Sequence, residues 1–263
     1  MILDQFSLKG KTAFISGATH GLGMAMAKAL GEAGAIIVIN GHSSQQKIDD
    51  ALKVYRDHGI TAHGYKFDVT DEKDVEAYIQ KIETEVGAID ILVNNAGIIK
   101  RIPVTDMKLE EWEEVIRTDL TSPFIVSKAV VGGMIQRKRG KIIHVCSMMS
   151  ELGRDTVSAY AAAKGGLKML TRSMATEWAK HNIQVNGIGP GYFATSQTAP
   201  LRVAGNPFHE FILNRTPAGR WGEPDELGGA IVFLSSEAAN FVNGQILYVD
   251  GGILATIGKP HGE

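Results

Sequence analysis

The sequence predicts a single α/β domain, residues 1–263, built on one doubly wound parallel sheet flanked by helices on both faces. Short apolar, β-branched runs alternate along the chain with longer segments of helical periodicity. The runs are apolar throughout, which is expected of parallel strands whose two faces are both covered by helices. No linker, internal repeat or low-complexity segment divides the chain, so one sheet accounts for all of the elements.

The predicted strands are each bounded by Gly, Asn or Asp, and they occupy residues 12–15, 36–39, 89–93, 142–145, 184–188 and 246–249. A further strand, the third along the chain, is expected to end just before Asp68. Helical periodicity covers residues 22–33, 72–86, 110–134 and 159–179. Residues 190–222 are irregular and rich in Pro, Gly, Thr and Asn, with a helical patch near 209–214. Because long loops in compact domains are often lids, we expect a substrate loop there.

The composition limits the kinds of molecule that the protein is expected to bind. The formal net charge is -2, and nucleic acids and anionic membranes require a basic surface, so a small molecule is the expected partner. The chain has neither a basic, apolar leader nor a membrane-length apolar stretch, which favours a cytoplasmic location. Cys146 is the single cysteine and lies in an apolar run, so we expect a buried thiol and no disulfide. The eight histidines lack metal-ligand spacing, and no metal site is predicted.

A glycine-rich turn follows the first predicted strand and leads into the first helix. Glycines allow close backbone approach, and the exposed N–H groups of a helix N-terminus attract an anion, so this turn suits a pyrophosphate. The same spacing could also be a packing turn, and its position after strand one favours the binding interpretation. The candidate cofactor contacts here are Gly17, Thr19, His20, Gly21, Leu22 and Gly23.

Two further polar strand ends lie at the same expected edge of the sheet. The fourth strand in the chain is followed by Asn94-Asn95-Ala96-Gly97, which is either a simple turn or part of a ligand site. The third is followed by Asp68-Val69. Asp68 is either in the N-cap region of the next helix or an acceptor for an adenine amino group, and both interpretations are compatible.

Ser147, Tyr160 and Lys164 form the strongest candidate catalytic group. Tyr160 and Lys164 are four residues apart, so they project from one face of the predicted helix, and Ser147 closes the preceding strand. A lysine cation favours the phenolate and should lower the pKa of the tyrosine from about 10. The alternative is a solvated helix face.

Taken together, these segments, with Pro190-Gly191 and residues 249–252, resemble the short-chain dehydrogenase/reductase family over essentially the whole chain. The resemblance implies a Rossmann-type fold, a nicotinamide cofactor, a homotetramer, and Ser, Tyr, Lys and Asn acting together in hydride and proton transfer. Lys164 would then also bind the nicotinamide ribose. At the asparagine position this chain has Asp119, a departure that retains an acceptor but no amide donor. The implied cofactor contacts include Asp68, Val69, Asn95, Ala96, Gly97, Tyr160, Lys164, Pro190, Gly191, Phe193 and Thr195.

Residues 146–155, 182–187 and 215–222 resemble the bacterial gluconate 5-dehydrogenases, also called 5-ketogluconate reductases. The 2-dehydro-3-deoxy-D-gluconate 5-dehydrogenases share much of this pattern, so either substrate is compatible and both are open-chain sugar acids. Such an acid requires a cation, and Lys100, Arg101 and Arg154 lie on loops beside the catalytic residues. Arg101 is the first choice and Arg154 the second, because a guanidinium can hold a carboxylate through two hydrogen bonds. Ser147 and Tyr160 would contact the reacting oxygen, and the alternative for both arginines is a solvated loop charge.

Cofactor choice depends on the end of the second strand, Asn40-Gly41-His42-Ser43-Ser44. An acidic residue there would hold a ribose 2′-hydroxyl and repel a 2′-phosphate. This segment has none, so NADP(H) is favoured, and NAD(H) remains possible because no arginine is present either. Two alternatives stay open, a catalytically silent nucleotide-binding scaffold and a reductase of carrier-bound acyl groups. The intact Ser147, Tyr160 and Lys164 argue against the first, and the near-neutral charge against the second.

Overall fold

A seven-stranded parallel sheet forms the centre of the computed structural model, which describes residues 1–258. The strand order is β3-β2-β1-β4-β5-β6-β7, and every neighbouring pair is parallel. The order reverses between β1 and β4, which opens a crevice at the carboxyl ends of these strands. The predicted fold class is confirmed. The strands are β1 Thr12–Ile15, β2 Ile36–Gly41, β3 Ala62–Lys66, β4 Ile91–Asn94, β5 Gly140–Val145, β6 Ile183–Pro190 and β7 Ile246–Val249.

Helices cover both faces of this sheet, each through its own apolar cluster. One cluster joins the sheet to α1, α2 and α8, and the other joins the opposite face to α3, α5 and α6. Within residues 1–258, no helix has the length and apolar character needed to cross a membrane. The helices are α1 Gly21–Glu32, α2 Gln45–Asp57, α3 Glu72–Glu85, α4 Leu109–Ile116, α5 Ser122–Arg137, α6 Ser158–Trp178, α7 Pro207–Arg215 and α8 Gly228–Ser235.

The predicted helix over residues 110–134 is interrupted in the structure. A five-residue π-helical segment, Arg117–Thr121, separates α4 from α5. Its wider turn is closed by the Ser122 N–H, which donates to the Arg117 carbonyl. The extra residue turns the side chain of Asp119 into the protein, where it is completely buried.

The irregular segment 190–222 contains one α-helix, α7, where the helical patch was predicted. Asn206 caps its N-terminus by accepting a hydrogen bond from the Phe208 N–H. The two ends of the segment meet in a single parallel bridge between Phe193 and Gly222. The segment is therefore a closed loop fixed beside the carboxyl edge of the sheet.

Candidate active site

One cavity of about 620 Å³ runs along the carboxyl edge of the sheet. It begins near the end of β2, passes over the glycine turn, and ends between the start of α6 and the segment 190–222. Nearly all predicted site residues line it. These are Gly17, Thr19, His20, Gly21, Leu22, Gly23, Gly41, His42, Asp68, Val69, Asn95, Ala96, Gly97, Arg101, Asp119, Ser147, Arg154, Tyr160, Lys164, Pro190, Gly191, Phe193 and Thr195.

The glycine turn is built by its packing against the loop after β4. Asn95 Nδ2 donates to the carbonyl oxygens of Ser16, at 2.9 Å, and Gly17, at 3.1 Å. A Cβ at Gly23 would lie 2.4 Å from that same amide nitrogen. Gly21 has φ +59°, and the space around its Cβ position is open. The turn thus leaves backbone free for a ligand, while Asn95 fixes it from behind.

Asn40 is the one predicted cofactor residue that does not line the cavity. Its Oδ1 accepts from the Gly17 N–H at 2.9 Å, and its Nδ2 donates to the Phe67 carbonyl at 3.0 Å. The side chain is buried. Asn40 therefore holds the glycine turn in place from behind the cavity wall, because both of its side-chain polar atoms are hydrogen-bonded to the backbone.

The end of the cavity near β2 contains a histidine and a carboxylate, His42 and Asp68. His42 Nε2 lies 3.7 Å from Asp68 Oδ2, while the other oxygen of Asp68 accepts from the Thr70 N–H and hydroxyl. Burial raises the pKa of Asp68, but these hydrogen bonds and neighbouring cations bring the net shift downward. The N-cap of α3 is Asp71, so Asp68 lies in the turn just before this cap and does not cap the helix itself.

Lys47 also lines the cavity, which was not predicted from the sequence. It lies in the first turn of α2, close to His42, Ser43 and Ser44 along the cavity wall. Ser44 is the N-cap residue of α2, and its side chain makes no capping hydrogen bond. The signal that could have identified Lys47 was its place three residues after the phosphate-compatible serines.

Ser147 lies where β5 ends and the chain turns toward α6. Its Oγ accepts from the Met149 N–H at 3.1 Å, which leaves the hydroxyl proton available for a group in the cavity. The Ser147 hydroxyl also stands beside the phenol of Tyr160 and lowers its pKa. The predicted juxtaposition of these two hydroxyls is what the structure contains.

Lys164 is almost fully buried one turn after Tyr160 on α6. Its Nζ donates to the Val145 carbonyl at 2.9 Å and lies 5.5 Å from the centroid of the Tyr160 ring. Burial raises the pKa of Tyr160, and Lys164 opposes that rise. The net pKa is raised, contrary to the sequence expectation, because burial and the negative charge of Asp119 outweigh the lysine.

Asp119 faces Lys164 from the π-helical segment. Its Oδ1 accepts from the Ile98 N–H at 2.7 Å, and its Oδ2 lies 3.1 Å from Lys164 Nζ. Burial raises the pKa of Asp119, and the lysine cation lowers it, with a net rise. A carboxylate therefore belongs to the buried candidate catalytic group, together with an ammonium and a phenol.

The far end of the cavity contains two arginines, Arg101 and Arg154. Neither pairs with a carboxylate among residues 1–258, whereas Lys100 forms an ion pair with Glu114. The guanidinium carbon of Arg154 lies 5.0 Å from the centroid of the Phe208 ring. Among the described residues, the buried Nε of Arg154 has no hydrogen-bond partner. Burial raises the pKa of Tyr192, while both arginine cations act on it in the opposite direction. Both arginine cations therefore act on the Tyr192 phenol, and all three residues line the same cavity.

An aromatic wall completes this end of the cavity. Tyr192 packs edge-on against Phe208 and Trp221, with centroid distances of 5.8 and 5.6 Å. Trp221 Nε1 donates to His209 Nδ1 at 3.0 Å, which attaches α7 to the end of the segment 190–222. This wall was not predicted from the sequence, although the aromatic residues of the irregular segment were a usable signal.

Two residues without an assigned role lie under the site. Cys146 is buried, as predicted, and burial raises the pKa of its thiol to about 11. His144 is completely buried in β5. Across residues 1–258, no three His, Cys, Asp or Glu side chains are grouped so that they could hold a metal ion.

Comparison with known proteins places this geometry among characterised relatives. Residues 17–254 match a family model described as Enoyl-(Acyl carrier protein) reductase. The chain is 66% identical over 263 residues to the 2-dehydro-3-deoxy-D-gluconate 5-dehydrogenase of Formosa agariphila, and the match covers 100% of both chains. It is 49% identical over 254 residues to the 5-keto-D-gluconate 5-reductase of Escherichia coli, covering 97% of this chain and 99% of the relative.

The fold is also similar to that of a solved gluconate 5-dehydrogenase from Burkholderia cenocepacia in complex with NADP and tartrate. That structure superposes with a TM-score of 0.93 at 46% identity, covering 98% of this chain and 100% of the other. At this identity, the likeness extends beyond the fold. The resemblance to gluconate 5-dehydrogenases inferred from the sequence motifs is confirmed.

Proposed function

Because this chain belongs to the short-chain dehydrogenase/reductase family, we propose that it is an NADP(H)-dependent oxidoreductase that interconverts the C5 hydroxyl and C5 carbonyl of a six-carbon sugar acid. The single observation that carries this proposal is the cavity. It joins the glycine turn, the Ser147, Tyr160 and Lys164 group, and two arginines that have no carboxylate partner among residues 1–258. The glycine turn suits a nucleotide, the Ser147, Tyr160 and Lys164 group suits a reacting hydroxyl, and the arginines suit a carboxylate.

The residues of the glycine turn fit a dinucleotide. Gly21 offers open space where a side chain would otherwise project, and the N-terminus of α1 begins there. At the other end, His42, Ser43, Ser44 and Lys47 supply hydrogen-bond donors and positive charge for a 2′-phosphate. No carboxylate stands at the end of β2 to repel it. These features support NADP(H) over NAD(H), in agreement with the cofactor bound by the Burkholderia relative.

The proton chemistry is assigned to Tyr160. When bound, the nicotinamide supplies or accepts the hydride. During reduction the Tyr160 phenol donates its proton to the C5 oxygen, and during oxidation the phenolate removes the C5 hydroxyl proton. The Ser147 hydroxyl donates to the same oxygen and holds it beside the phenol. Lys164 favours the phenolate electrostatically, and the family resemblance assigns it the nicotinamide ribose as well.

Arg101 is assigned to the substrate carboxylate. It lines the cavity on the loop after β4, and its charge has no carboxylate partner among the described residues. Arg154 shares this end of the cavity and is held in place by Phe208. A planar guanidinium can bind a carboxylate through two parallel hydrogen bonds, so either residue can fix the acid end.

Two substrate pairs are compatible with the proposal, and the similarity of this chain to its relatives ranks one pair above the other. The Formosa relative, which is 66% identical over its whole length, acts on 2-dehydro-3-deoxy-D-gluconate. D-gluconate with 5-dehydro-D-gluconate is the second pair, supported by the Escherichia and Burkholderia relatives. The pairs differ in the C3 hydroxyl and in the oxidation state of C2, while the reaction at C5 is the same.

Steady-state rates decide among these possibilities. We expect turnover of 2,5-diketo-3-deoxygluconate and of 5-ketogluconate with NADPH, with the larger kcat/KM for the 3-deoxy compound. NADH should be at least tenfold poorer in binding, which requires about 1.4 kcal/mol. Absence of turnover with both sugar acids would contradict the proposal. A larger kcat/KM for 5-ketogluconate would assign gluconate as the substrate pair.

We also propose that the chain acts as a homotetramer in the cytoplasm. The exposed side of α6 carries Ala162 and Met169 with Gly165 between them, and a Cβ at Gly165 would meet nothing. Small residues of this kind allow another helix to approach closely. Light scattering should give four times the chain mass, and Met169→Glu should reduce that mass. A monomeric wild-type protein would contradict the assembly proposal.

A further inference from the structure

Asp119 places a carboxylate where the family pattern has an asparagine. The residue is completely buried, and its side chain is directed inward by the π-helical segment between α4 and α5. Gly97 packs directly against it, because a Cβ there would lie 2.7 Å from Asp119 Oδ2. A buried carboxylate is costly unless it is paired, so its position beside the catalytic group requires a physical account.

The partner of Asp119 is Lys164. Asp119 Oδ2 lies 3.1 Å from Lys164 Nζ, and Nζ donates to the Val145 carbonyl at 2.9 Å. One N–H of the ammonium group is therefore donated to the Val145 carbonyl, and the Asp119 carboxylate faces the same group as its ion-pair partner. Asp119 thus fixes the lysine rotamer and also sets the charge of the site.

The charge argument follows from counting protons on the coupled group. With asparagine at position 119, the neutral phenol of Tyr160 and the ammonium group of Lys164 would give the group a net charge of +1. With Asp119 the same protonated group is neutral, and losing a proton leaves a net negative charge in a buried site. That proton must leave at higher pH, whichever of Tyr160 and Lys164 gives it up, because the two titrate together.

Among residues 1–258, the other titratable groups coupled to this cluster are Cys146, His144 and Tyr192, and none of them changes charge near neutral pH. Burial raises the pKa of Tyr192 above its usual value of 10. From β5, Cys146 carries a thiol whose pKa is raised by burial to about 11, and His144 has a pKa lowered by burial and by Lys164 to about 3. The loop after β4 contributes the backbone of Gly97 and Ile98. Ser147 contributes a hydroxyl. Asp119, Tyr160 and Lys164 therefore control the titration.

We propose that Asp119 is a positioning residue that keeps the Tyr160–Lys164 pair protonated to higher pH and so favours the proton-donating form used in reduction. The pKa directions support this account. Burial lowers the pKa of Lys164, but Asp119 and Tyr160 reverse the shift to a net rise. Asp119 likewise raises the pKa of Tyr160.

The direct test is a pH titration of the Tyr160 phenol without cofactor. Tyrosinate difference absorbance is recorded for the wild type and for Asp119→Asn, and the same curves from Tyr160→Phe backgrounds are subtracted. We expect the midpoint in Asp119→Asn to fall by about one pH unit or more, because a buried negative charge that acts on the phenol is removed. An unchanged or higher midpoint would overturn the inference.

Turnover provides a second readout that rests on the proposed function. In Asp119→Asn the acid limb of oxidation and the alkaline limb of reduction should both move to lower pH by the amount seen in the titration. Shifted absorbance without turnover of either sugar acid would contradict the proposed function and leave the Asp119 inference standing. Shifted turnover without shifted absorbance would overturn the inference.

Two further variants serve as a charge control and as a replacement should Asp119→Asn not fold. Glu113→Gln removes one negative charge from the exposed face of neighbouring α4 and should leave the midpoint unchanged. An equal shift in Glu113→Gln would mean that net charge, not the buried pair, is responsible, and would overturn the inference. Should Asp119→Asn fail to fold, Asp119→Ser carries the same prediction, because it also removes the charge and makes the side chain smaller.

Discussion

Tyr160 is the residue on which the proposed chemistry depends most directly. Tyr160→Phe deletes the transferable proton and keeps the ring, so kcat should fall by orders of magnitude while NADPH affinity stays nearly unchanged. Stopped-flow or steady-state rates together with a fluorescence titration of NADPH measure both quantities. Tyr78→Phe, a change on α3 away from the cavity, is the matched control and should be silent. Near-normal turnover in Tyr160→Phe would refute the mechanism.

Arg101 is expected to hold the substrate carboxylate. Arg101→Lys keeps the charge and loses the planar fork, while Arg101→Ala loses both, so kcat/KM should fall further in the alanine variant. Loss of a charge-assisted hydrogen bond corresponds to about ten- to a hundredfold in kcat/KM. Lys100→Ala removes a neighbouring charge that is already paired with Glu114, and it should have little effect.

The contrast between the two arginines identifies the carboxylate site. If Arg101→Ala leaves kcat/KM for both sugar acids unchanged, the carboxylate is held elsewhere. Arg154→Ala should then produce the loss instead, because Arg154 also lines this part of the cavity and has no carboxylate partner within residues 1–258. For an uncharged substrate of similar length, kcat/KM should be the same in the wild type and in both alanine variants.

At the scale of elements, the glycine turn and α1 form one rigid unit with the loop after β4. In Gly23→Ala the new Cβ would lie 2.4 Å from Asn95 Nδ2 and 2.8 Å from the Gly17 carbonyl oxygen. One of these contacts is with backbone, so the turn itself must shift. We expect NADPH binding to weaken by more than about tenfold, measured by cofactor fluorescence.

Gly229→Ala provides the control for that change. Gly229 also lies in a helix, α8, but a Cβ there would meet no heavy atom within 4 Å. Alanine is preferred over glycine in a helix by about 1 kcal/mol, so this variant should bind NADPH normally and unfold at a slightly higher temperature. Equal NADPH affinity in Gly23→Ala and Gly229→Ala would contradict the close packing of the turn.

Periodicity predicted those elements whose packing is apolar. The strands β1 and β7 have the predicted bounds because both are clear apolar runs. The bounds of β3 were not predicted, since this edge strand contains only one buried residue among Ala62–Lys66. Helix α2 was missed, although Ile48, Ala51 and Tyr55 form a buried stripe within a polar sequence.

The parts of the site that were missed depend on geometry that no local pattern contains. The π-helical segment inserts an extra residue into a continuous helical pattern, so the ion pair between Asp119 and Lys164 could not be read from spacing. The aromatic wall likewise joins Tyr192, Phe208 and Trp221 across a folded loop. In contrast, Tyr160 and Lys164 share a face at a spacing fixed by the helix itself.

For the whole molecule, His144 should make folding sensitive to acid. His144 Nδ1 lies 2.9 Å from Thr171 Oγ1, which itself donates to the Leu167 carbonyl, so Nδ1 is assigned as the donor. Nε2 faces Ser127 Oγ at 3.4 Å. Burial, aided by Lys164, lowers the pKa of His144 from 6.5 to about 3. The neutral imidazole therefore fits this site, and the charged one does not.

The sign of the pH effect follows from that lowered pKa. Between pH 6.5 and about 3 the unfolded chain binds a proton at this histidine and the folded chain does not, so stability falls as the pH falls. The contribution is about 1.4 kcal/mol per pH unit. Denaturant unfolding of the wild type, His144→Gln and His144→Phe should show a shallower acid dependence in both variants. Identical slopes would show that folding does not lower the pKa of His144.

The central claim, that a bound nicotinamide cofactor exchanges hydride with C5 of a sugar acid, is tested most directly by isotope transfer. NADPH that carries deuterium at the transferable C4 position is incubated with the protein and 2,5-diketo-3-deoxygluconate or 5-ketogluconate, and the product is examined by NMR. The account predicts deuterium bound to C5 in the wild-type product and no product above background in Tyr160→Phe. Deuterium at any other carbon, or no labelled product from either acid, would contradict it.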